Sequence, residues 1–551
     1  MDRGRTAFLL ATVFLSGAAV MVVEMTTARV LQPTFGSTTY VWTNVIAVVL
    51  AALAAGYAIG GRIADRRPSP GLLYGILAVG GLLVAASVPL ATPVSQWLLP
   101  LDINYETVSS LLMKGSLAAT LILFAPATLL LGMASPMAIR LLAEGGVGRA
   151  AGRVFAISTV GSIVGTYLPT LWLIPSYGSR ATLLVAAAML VAPAVVGLLV
   201  FSGLRGAALG LVAVLGLAGI GAASDMRPSR GVPRLAWGGT ALVRAERESP
   251  YQYLTVREDT FPGSPPTTIK YLTINEGVFT YHSVEVAGSV LTGDKYYDDY
   301  AALPLLTDVP QGEELRGAVV GLAAGVTPRQ WKHFWEGPYK VRVDGAEIDP
   351  VVLELGREYF HLPPADADWL RAFAMDGRQM LAAAPPGTSY HMLVVDAFSQ
   401  ELYIPFHLGT REFFELAKSR LAPGGIFAMN VYAYRPDSPN LAALENTLAT
   451  VFGRCQRVKQ YWEGSYILVA RNGAEPADMS RLIAGRVETR MGKRPAVAEW
   501  ATLVRQVGWV PKHTTIIRPD AAKPVLTDDY CPLERMTDRF IERSEAELFG
   551  E

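Results

Sequence analysis

The chain has 551 residues, with 48 basic and 48 acidic side chains, and this neutral balance gives no footing for a nucleic-acid partner. Hydrophobic residues make up 51% and charged residues only 17%, against about a quarter in soluble domains. That length is too great for one core, and the charge deficit is confined to the region before Asp225, which excludes a uniform soluble protein.

From the N-terminus, seven apolar segments, roughly 6–27, 40–61, 71–92, 115–138, 152–175, 181–203 and 206–223, predict membrane-spanning helices. The first is not read as a signal peptide, because its apolar run is long, shows no small-residue cleavage site and is followed by further spans. Basic residues divide unevenly between the loops. Arg3, Arg5, Arg62, Arg66, Arg67, Arg140, Arg149, Arg153 and Arg205 fall on one side, and Arg29, Lys114 and Arg180 on the other. That bias predicts a cytoplasmic N-terminus. Seven spans then put the remainder outside the cell. The seventh segment, rich in Gly and Ala, is the weakest, so six or eight spans stay open.

Glu24 lies near the end of the first helix beside Thr26 and Thr27. An acid inside a span is a functional site by default; the competing reading is an acid at the water boundary or one paired with Arg29. The stretch Gly56–Arg67, Gly-Tyr-Ala-Ile-Gly-Gly-Arg-Ile-Ala-Asp-Arg-Arg, resembles the loop between helices two and three of major-facilitator transporters. Its small residues fit equally a tight helix–helix turn.

After a polar linker near 225–234, Thr240–Glu258 and Lys270–Ile274 read as strands, the second closed by Asn275-Glu276-Gly277. A small antiparallel β-domain is expected there. Strands and helices then alternate, which argues for a parallel, doubly wound sheet. Gly317–Gly321 is a buried strand that runs through Leu322-Ala323-Ala324-Gly325 into a helix from about Pro328. Val341–Glu347 is the next strand, with an acid at its end. A small-residue turn at a helix N-terminus and an acid some 20 residues on suit a ribose-containing ligand, Gly321 and Gly325 giving the backbone approach and Glu347 the hydroxyl contacts. Met375-Asp376-Gly377 follows the third strand, where Asp376 is suited to an adenine amino group. His391–Asp396 is a fourth apolar strand, again ending in an acid at the edge where such sheets bind ligands.

Taken together, Glu248-Ser249-Pro250-Tyr251-Gln252-Tyr253, Glu347-Ile348-Asp349-Pro350, Asp376-Gly377, Asp396-Ala397-Phe398-Ser399, Thr410-Arg411-Glu412-Phe413-Phe414 and Leu421-Ala422-Pro423-Gly424-Gly425 resemble the spermidine synthases, the polyamine aminopropyltransferases. The whole chain resembles the bacterial branch in which such a domain follows a membrane bundle. The resemblance implies that Gln252 contacts the donor, Glu347 the ribose, and Asp376 with Gly377 the adenine edge. It implies that Asp396 accepts the proton of the attacking amine. His407, 11 residues after Asp396 on the loop over the same crevice, reads either as a second base or as a structural or solvated histidine. Tyr297 and Asp298 fall where relatives carry an amine-binding motif, and Asp528, in Thr527–Pro532, is expected either to close the site or to cap the helix after it.

Three departures leave donor and acceptor open. Ala324 stands where soluble relatives carry the Asp that reads the donor's amine. Ala397-Phe398-Ser399 lacks their second acid, and Glu276–Thr280 replaces their Asp-Gly-x-x-Gln turn.

The expected fold class is an α-helical transmembrane bundle (1–225) fused to a small antiparallel β-domain (235–305), an α/β Rossmann-like adenosylmethionine-type domain (306–475) and a C-terminal helical extension (476–551). The implied co-substrate is decarboxylated S-adenosylmethionine or S-adenosylmethionine; the implied partners are an amine and the lipid bilayer of a bacterial inner membrane, without nucleic acid. A homo-oligomer is open, and no metal site is expected. Cys455 and Cys531 read either as two buried thiols or, in a domain outside the cell, as a disulfide. Transfer of an aminopropyl group leads. Methyl or other transfer from S-adenosylmethionine, and a transporter or sensor that binds without turnover, are the rivals.

Overall fold

The computed structural model describes residues 3–35, 39–98, 108–143, 146–225, 240–262, 266–274, 281–293, 295–399, 403–433, 435–460, 464–473, 479–491, 513–533 and 535–537. The chain divides into two compact units, residues 1–234 with 246–253 and residues 235–245 with 254–551.

The first unit is built from helices: α1 (Arg3–Phe35), α2 (Thr39–Arg66), α3 (Pro70–Leu98), α4 (Val108–Leu123), α5 (Ala125–Gly132), α6 (Ala134–Leu142), α7 (Val147–Leu168) and α8 (Ile174–Asp225). Among the described residues, five helices are long and apolar enough to cross a membrane: Arg3–Phe35, Val41–Arg66, Pro70–Leu98, Ala125–Leu142 and the run Val147–Ala223. The count differs from the seven expected segments for identifiable reasons. The last run carries three of them, jointed where Gly178 (φ 78°) and Gly203 (φ 59°) leave helical backbone. The segment expected at 115–138 is instead split over α4, α5 and α6. Pro126 and Pro136, which donate no backbone hydrogen bond, open α5 and α6.

Small residues let these helices approach. A Cβ on Gly56 would stand 2.2 Å from the Leu129 carbonyl, and one on Gly60 2.6 Å from Met133 Cα. The Gly56–Arg67 stretch is thus the face on which α2 packs against α5 and α6. Large apolar side chains such as Leu50, Val79, Leu121 and Leu215 are exposed on the outside of the unit.

The second unit holds two sheets. The first is antiparallel, in the order β1 (Thr240–Glu248), β2 (Tyr253–Phe261), β3 (Thr267–Ile274) and β4 (Ser283–Val286). In β2 the side chains of Arg257 and Asp259 share one face and form a buried ion pair. The turn expected at Asn275-Glu276-Gly277, the rest of Glu276–Thr280 and most of the linker near 225–234 lie outside the described residues.

After α9 (Tyr296–Tyr300) the chain alternates: β5 (Glu314–Val320), α10 (Val326–Trp335), β6 (Lys340–Glu347), α11 (Pro350–Tyr359), β7 (Leu370–Ala374), α12 (Gly377–Ala383), β8 (Tyr390–Val395), α13 (Arg411–Ser419), β9 (Leu421–Tyr432), α14 (Pro439–Phe452), β10 (Cys455–Lys459), β11 (Ser465–Arg471), α15 (Met479–Met491) and β12 (Thr514–Ile517). The strands lie in the order β12-β10-β11-β9-β8-β5-β6-β7. Those from β9 to β7 are parallel, while β11, β10 and β12 run antiparallel.

The unbroken apolar runs follow from burial on both faces. Val319, Val343, Met392, Val394 and Ile426 enter one core, while Ala318, Val320, Leu393, Val395 and Phe427 enter the other. Gly317 in β5 sits under the ring of Trp331, where a Cβ would come within 2.4 Å. The C-terminal region, expected to be helical, also gives β12 to the sheet edge. Leu421-Ala422-Pro423-Gly424-Gly425, one of the motifs that carry the resemblance, opens β9 and is not a turn before it.

Candidate functional site

The chain order around β5 reverses: β6 and β7 lie on one side, β8 and β9 on the other. In open α/β sheets a ligand crevice forms at such a switch, beyond the C-terminal ends of the strands. The backbone there is shaped for close approach. Gly321 (φ 86°), Ala323 (φ 46°) and Gly325 (φ 77°) take left-handed backbone conformations between β5 and α10. A Cβ on Gly321 would lie 2.4 Å from the Asp396 carbonyl, so the turn admits only glycine at that point.

Glu347 and Asp396 flank this turn. Val320 is in register with Ala346 on one side and Val395 on the other, so each acid stands one residue beyond the last pair. Two strand spacings of about 4.8 Å put their backbones roughly 10 Å apart. Glu347 is held by backbone donors: Ala323 N–H to Oε2 at 3.0 Å and Asp349 N–H to Oε1 at 3.1 Å. Burial nevertheless pushes its carboxyl up to about 7.

Asp396 is held by side chains. Asn430 Nδ2 donates to its Oδ1 at 3.0 Å, and Tyr296 also hydrogen-bonds to it. Burial again dominates and pushes the carboxyl up to about 7. Tyr296 packs on Tyr297 with ring centroids 4.1 Å apart and meets Tyr300 edge-on at 5.7 Å. Burial, then the charge of Asp396, drives all three phenols well above their ordinary value, so they remain donors. Tyr297 donates to the His282 carbonyl at 3.1 Å. His282, in the same wall, is kept neutral by burial, its value pushed down to about 4.

A second group of acids forms an outer layer. Asp376 caps α12, accepting from Gln379 N–H at 3.0 Å, and takes a hydrogen bond from His407 Nε2 at 2.8 Å. That bond to His407 is the main reason its carboxyl lies below the ordinary value. Gly377 follows at a contact where a Cβ would stand 2.3 Å from Val320 Cγ1. Arg378 donates to the His407 carbonyl at 3.0 Å and grips Asp528 with two bonds of 2.8 and 2.6 Å. Thr410, the cap of α13, adds a bond of 2.7 Å to Asp528. Arg378 holds the Asp528 carboxyl below its ordinary value. The segment around Asp528 thus fastens the loop that carries His407.

Asp298 is buried and accepts from Thr292 N–H, Thr292 Oγ1 and, at 2.6 Å, Gln330 Nε2, a set of bonds that fixes the loop before α9. Its neighbour Asp299 is pushed up to about 8 by burial and then by the charge of Asp298. Gln252 belongs to the 246–253 stretch of the first unit, where its N–H donates to Ser249 Oγ at 3.0 Å. Cys455 and Cys531 are separate thiols, lying 3.6 Å from the Glu445 carbonyl and 3.4 Å from the Phe406 carbonyl. Among the described residues no cluster of three His, Cys, Asp or Glu is placed to hold a metal. A cavity of about 280 Å³ beside β4 and α10 includes Val284, Thr292, Arg329 and Trp369, and no expected site residue lines it.

Reading the sequence missed Asn430, Tyr296 and Arg378. Asn430 carried a signal, as an amide inside the apolar run Ile426–Val431.

No protein-family model matches the chain. A probable polyamine aminopropyl transferase of Bifidobacterium longum is 28% identical over 304 residues, 52% of this chain and 61% of that protein. A polyamine aminopropyltransferase of Vibrio vulnificus is 32% identical over 116 residues, 21% of this chain and 37% of that one. The chain therefore spans less than two thirds of these relatives' length. A probable spermidine synthase structure from Corynebacterium glutamicum overlays 47% of this chain and 93% of its own, with a TM-score of 0.37 at 20% identity.

Proposed function

We propose that this chain, a relative of the polyamine aminopropyltransferases of the spermidine synthase family, transfers an aminopropyl group from decarboxylated S-adenosylmethionine to an amine. The observation that carries the reading is the pair of strand-end carboxyls, Glu347 and Asp396, flanking a turn that admits only glycine at position 321. Glu347 would take the ribose hydroxyls, and Asp376 with Gly377 the adenine edge.

An amine acceptor is protonated near neutral pH and must lose a proton before it attacks. With its carboxyl poised near 7, Asp396 is suited to receive that proton at a carboxylate oxygen. The amine nitrogen then bonds to the carbon beside the sulfonium, the carbon–sulfur bond breaks, and its electron pair stays on sulfur as a neutral thioether. The sulfonium is already a good leaving group, so the remaining work is positioning and charge stabilisation. Tyr296, half-buried beside Asp396, would give the ammonium an aromatic face, with Tyr297 and Tyr300 packed behind it. His407, bonded to Asp376, acts in this reading by orienting that acid.

One observation favours a second reading. Ala324, where soluble relatives carry an acid, is fully buried in an apolar cluster with Leu254, Val256 and Leu355. The donor's tail is then read without a counter-charge, which suits transfer from intact S-adenosylmethionine as well. The apolar helices of the first unit support a reaction at a bacterial inner membrane; the bias of basic residues would put the N-terminus in the cytoplasm, and seven spans would then put the catalytic domain outside.

Incubation of the purified full chain with putrescine and, in parallel, decarboxylated S-adenosylmethionine labelled in the aminopropyl group or S-adenosylmethionine labelled in the methyl group tests this. Labelled spermidine is the expected product; a labelled methyl group transferred from S-adenosylmethionine, with no polyamine product, would overturn it.

A further inference from the structure

We propose that Glu24 is a binding carboxylate for a monovalent cation, an alkali ion or a protonated amine, inside the helical unit. This stands apart from the transfer reaction and rests on the first unit alone. Glu24 lies in α1 and is 9% exposed, whereas Leu50 on α2 is 57% exposed. Its side chain therefore faces the interior of the unit and not the surface that apolar residues cover. Among the described residues nothing donates to it and no cation pairs with it. Its neighbours Thr26 and Thr27 use their hydroxyl protons on the Val22 and Val23 carbonyls, at 2.6 and 2.7 Å. Leaving a charge unpaired in such a place costs several kcal/mol in effect, so a carboxylate there is expected to take up a positive charge.

The packing shows where that charge would sit. Gly17, two turns before Glu24 on the same face of α1, meets α7 so closely that a Cβ would stand 2.4 Å from the Ser158 carbonyl. Two more contacts on these helices, Gly161 against Phe14 and Gly165 against Ala18, each at 2.2 Å from a carbonyl oxygen to an added Cβ, advance by four residues on either helix. Continuing that advance brings Glu24 level with Pro169–Leu173, which winds as a π-helical turn and packs against α1. Pro169 supplies no N–H to the Gly165 carbonyl four residues before it. A π-helical turn inside a helical bundle is frequent at functional sites, and here Pro169 and Leu173 are the buried members of the turn. A carboxylate beside such a turn has the makings of a cation site. A single acid suits one positive charge and not a divalent ion, which needs more oxygen ligands.

Dicyclohexylcarbodiimide, which modifies protonated carboxyls in apolar surroundings, tests this on the full chain in detergent at fixed pH. The mass of the peptide containing Glu24 is the readout, with Glu24→Gln as the blank. Glu24 is expected to be labelled, and labelling is expected to fall in proportion to added sodium chloride or putrescine at an ionic strength held with N-methylglucamine. Protection by sodium alone identifies an alkali ion; protection by putrescine identifies an amine. The proposal is overturned if Glu24 is not labelled in the folded chain, or if neither cation protects it. Protection in the wild-type chain requires no variant to fold.

Discussion

The inner and outer acids of the crevice are the same residue types put to opposite use. Glu347 and Asp396, at the ends of β6 and β8, have their carboxyls pushed up to about 7 by burial. Asp376 and Asp528, a layer further out, are held below the ordinary carboxyl value by His407 and Arg378. An acid short of compensating charge is ready to accept a proton or a cation; an acid with a committed partner is a fastener. Which role a carboxyl takes is decided by its surroundings and not by its position at a strand end or helix cap.

The sharpest way to break this contrast is to remove one inner charge without changing shape. Asp396→Asn is expected to lower kcat by about 10²- to 10⁴-fold while donor binding, measured by calorimetry, is retained. Glu347→Gln is expected to raise the KM for the donor by roughly 10- to 100-fold, the loss of a charge-assisted hydrogen bond of about 1.5–3 kcal/mol, with a smaller change in kcat. Asn430→Ala removes a donor that lowers the Asp396 value, so the acidic limb of the rate profile should move to higher pH. At the outer layer Arg378→Ala should cost only a few-fold in KM for the donor. Arg378 and Asp528 are partly exposed, and such pairs contribute about 0.2–1 kcal/mol.

Stability should separate the two layers as well. Glu347 and Asp396 keep their protons to about pH 7 when folded, whereas an unfolded carboxyl releases its proton near 4. The folded chain then binds more protons between those values, so stability falls as pH rises from about 4 to about 7 and stays lower above. The double substitution Glu347→Gln with Asp396→Asn should therefore melt above the wild-type chain at pH 8 and level with it at pH 4. The outer acids behave in the opposite sense: their contribution is present above the ordinary carboxyl value and is lost as pH falls through their depressed values.

The strand-end acids and the alternation of strands and helices were legible because an apolar run closed by an acid is a local pattern. Their partners were not, because they are set by strand order. Asn430 reaches Asp396 only because β9 lies beside β8, and Arg378 reaches Asp528 across 150 residues of sequence. In the first unit the apolar segments were readable one by one. The joints were not, since a glycine inside an apolar run does not show whether its backbone leaves the helix, as Gly178 and Gly203 do.

The most direct measurement is the pH dependence of kcat/KM for the amine, with the aminopropyl-labelled donor, in the wild-type chain and in Asp396→Asn. A rise in rate through about pH 7 that is lost in Asp396→Asn and kept in Glu347→Gln is the expected result. Wild-type turnover by Asp396→Asn with the same profile would contradict the assignment of the proton to the acid at the end of β8.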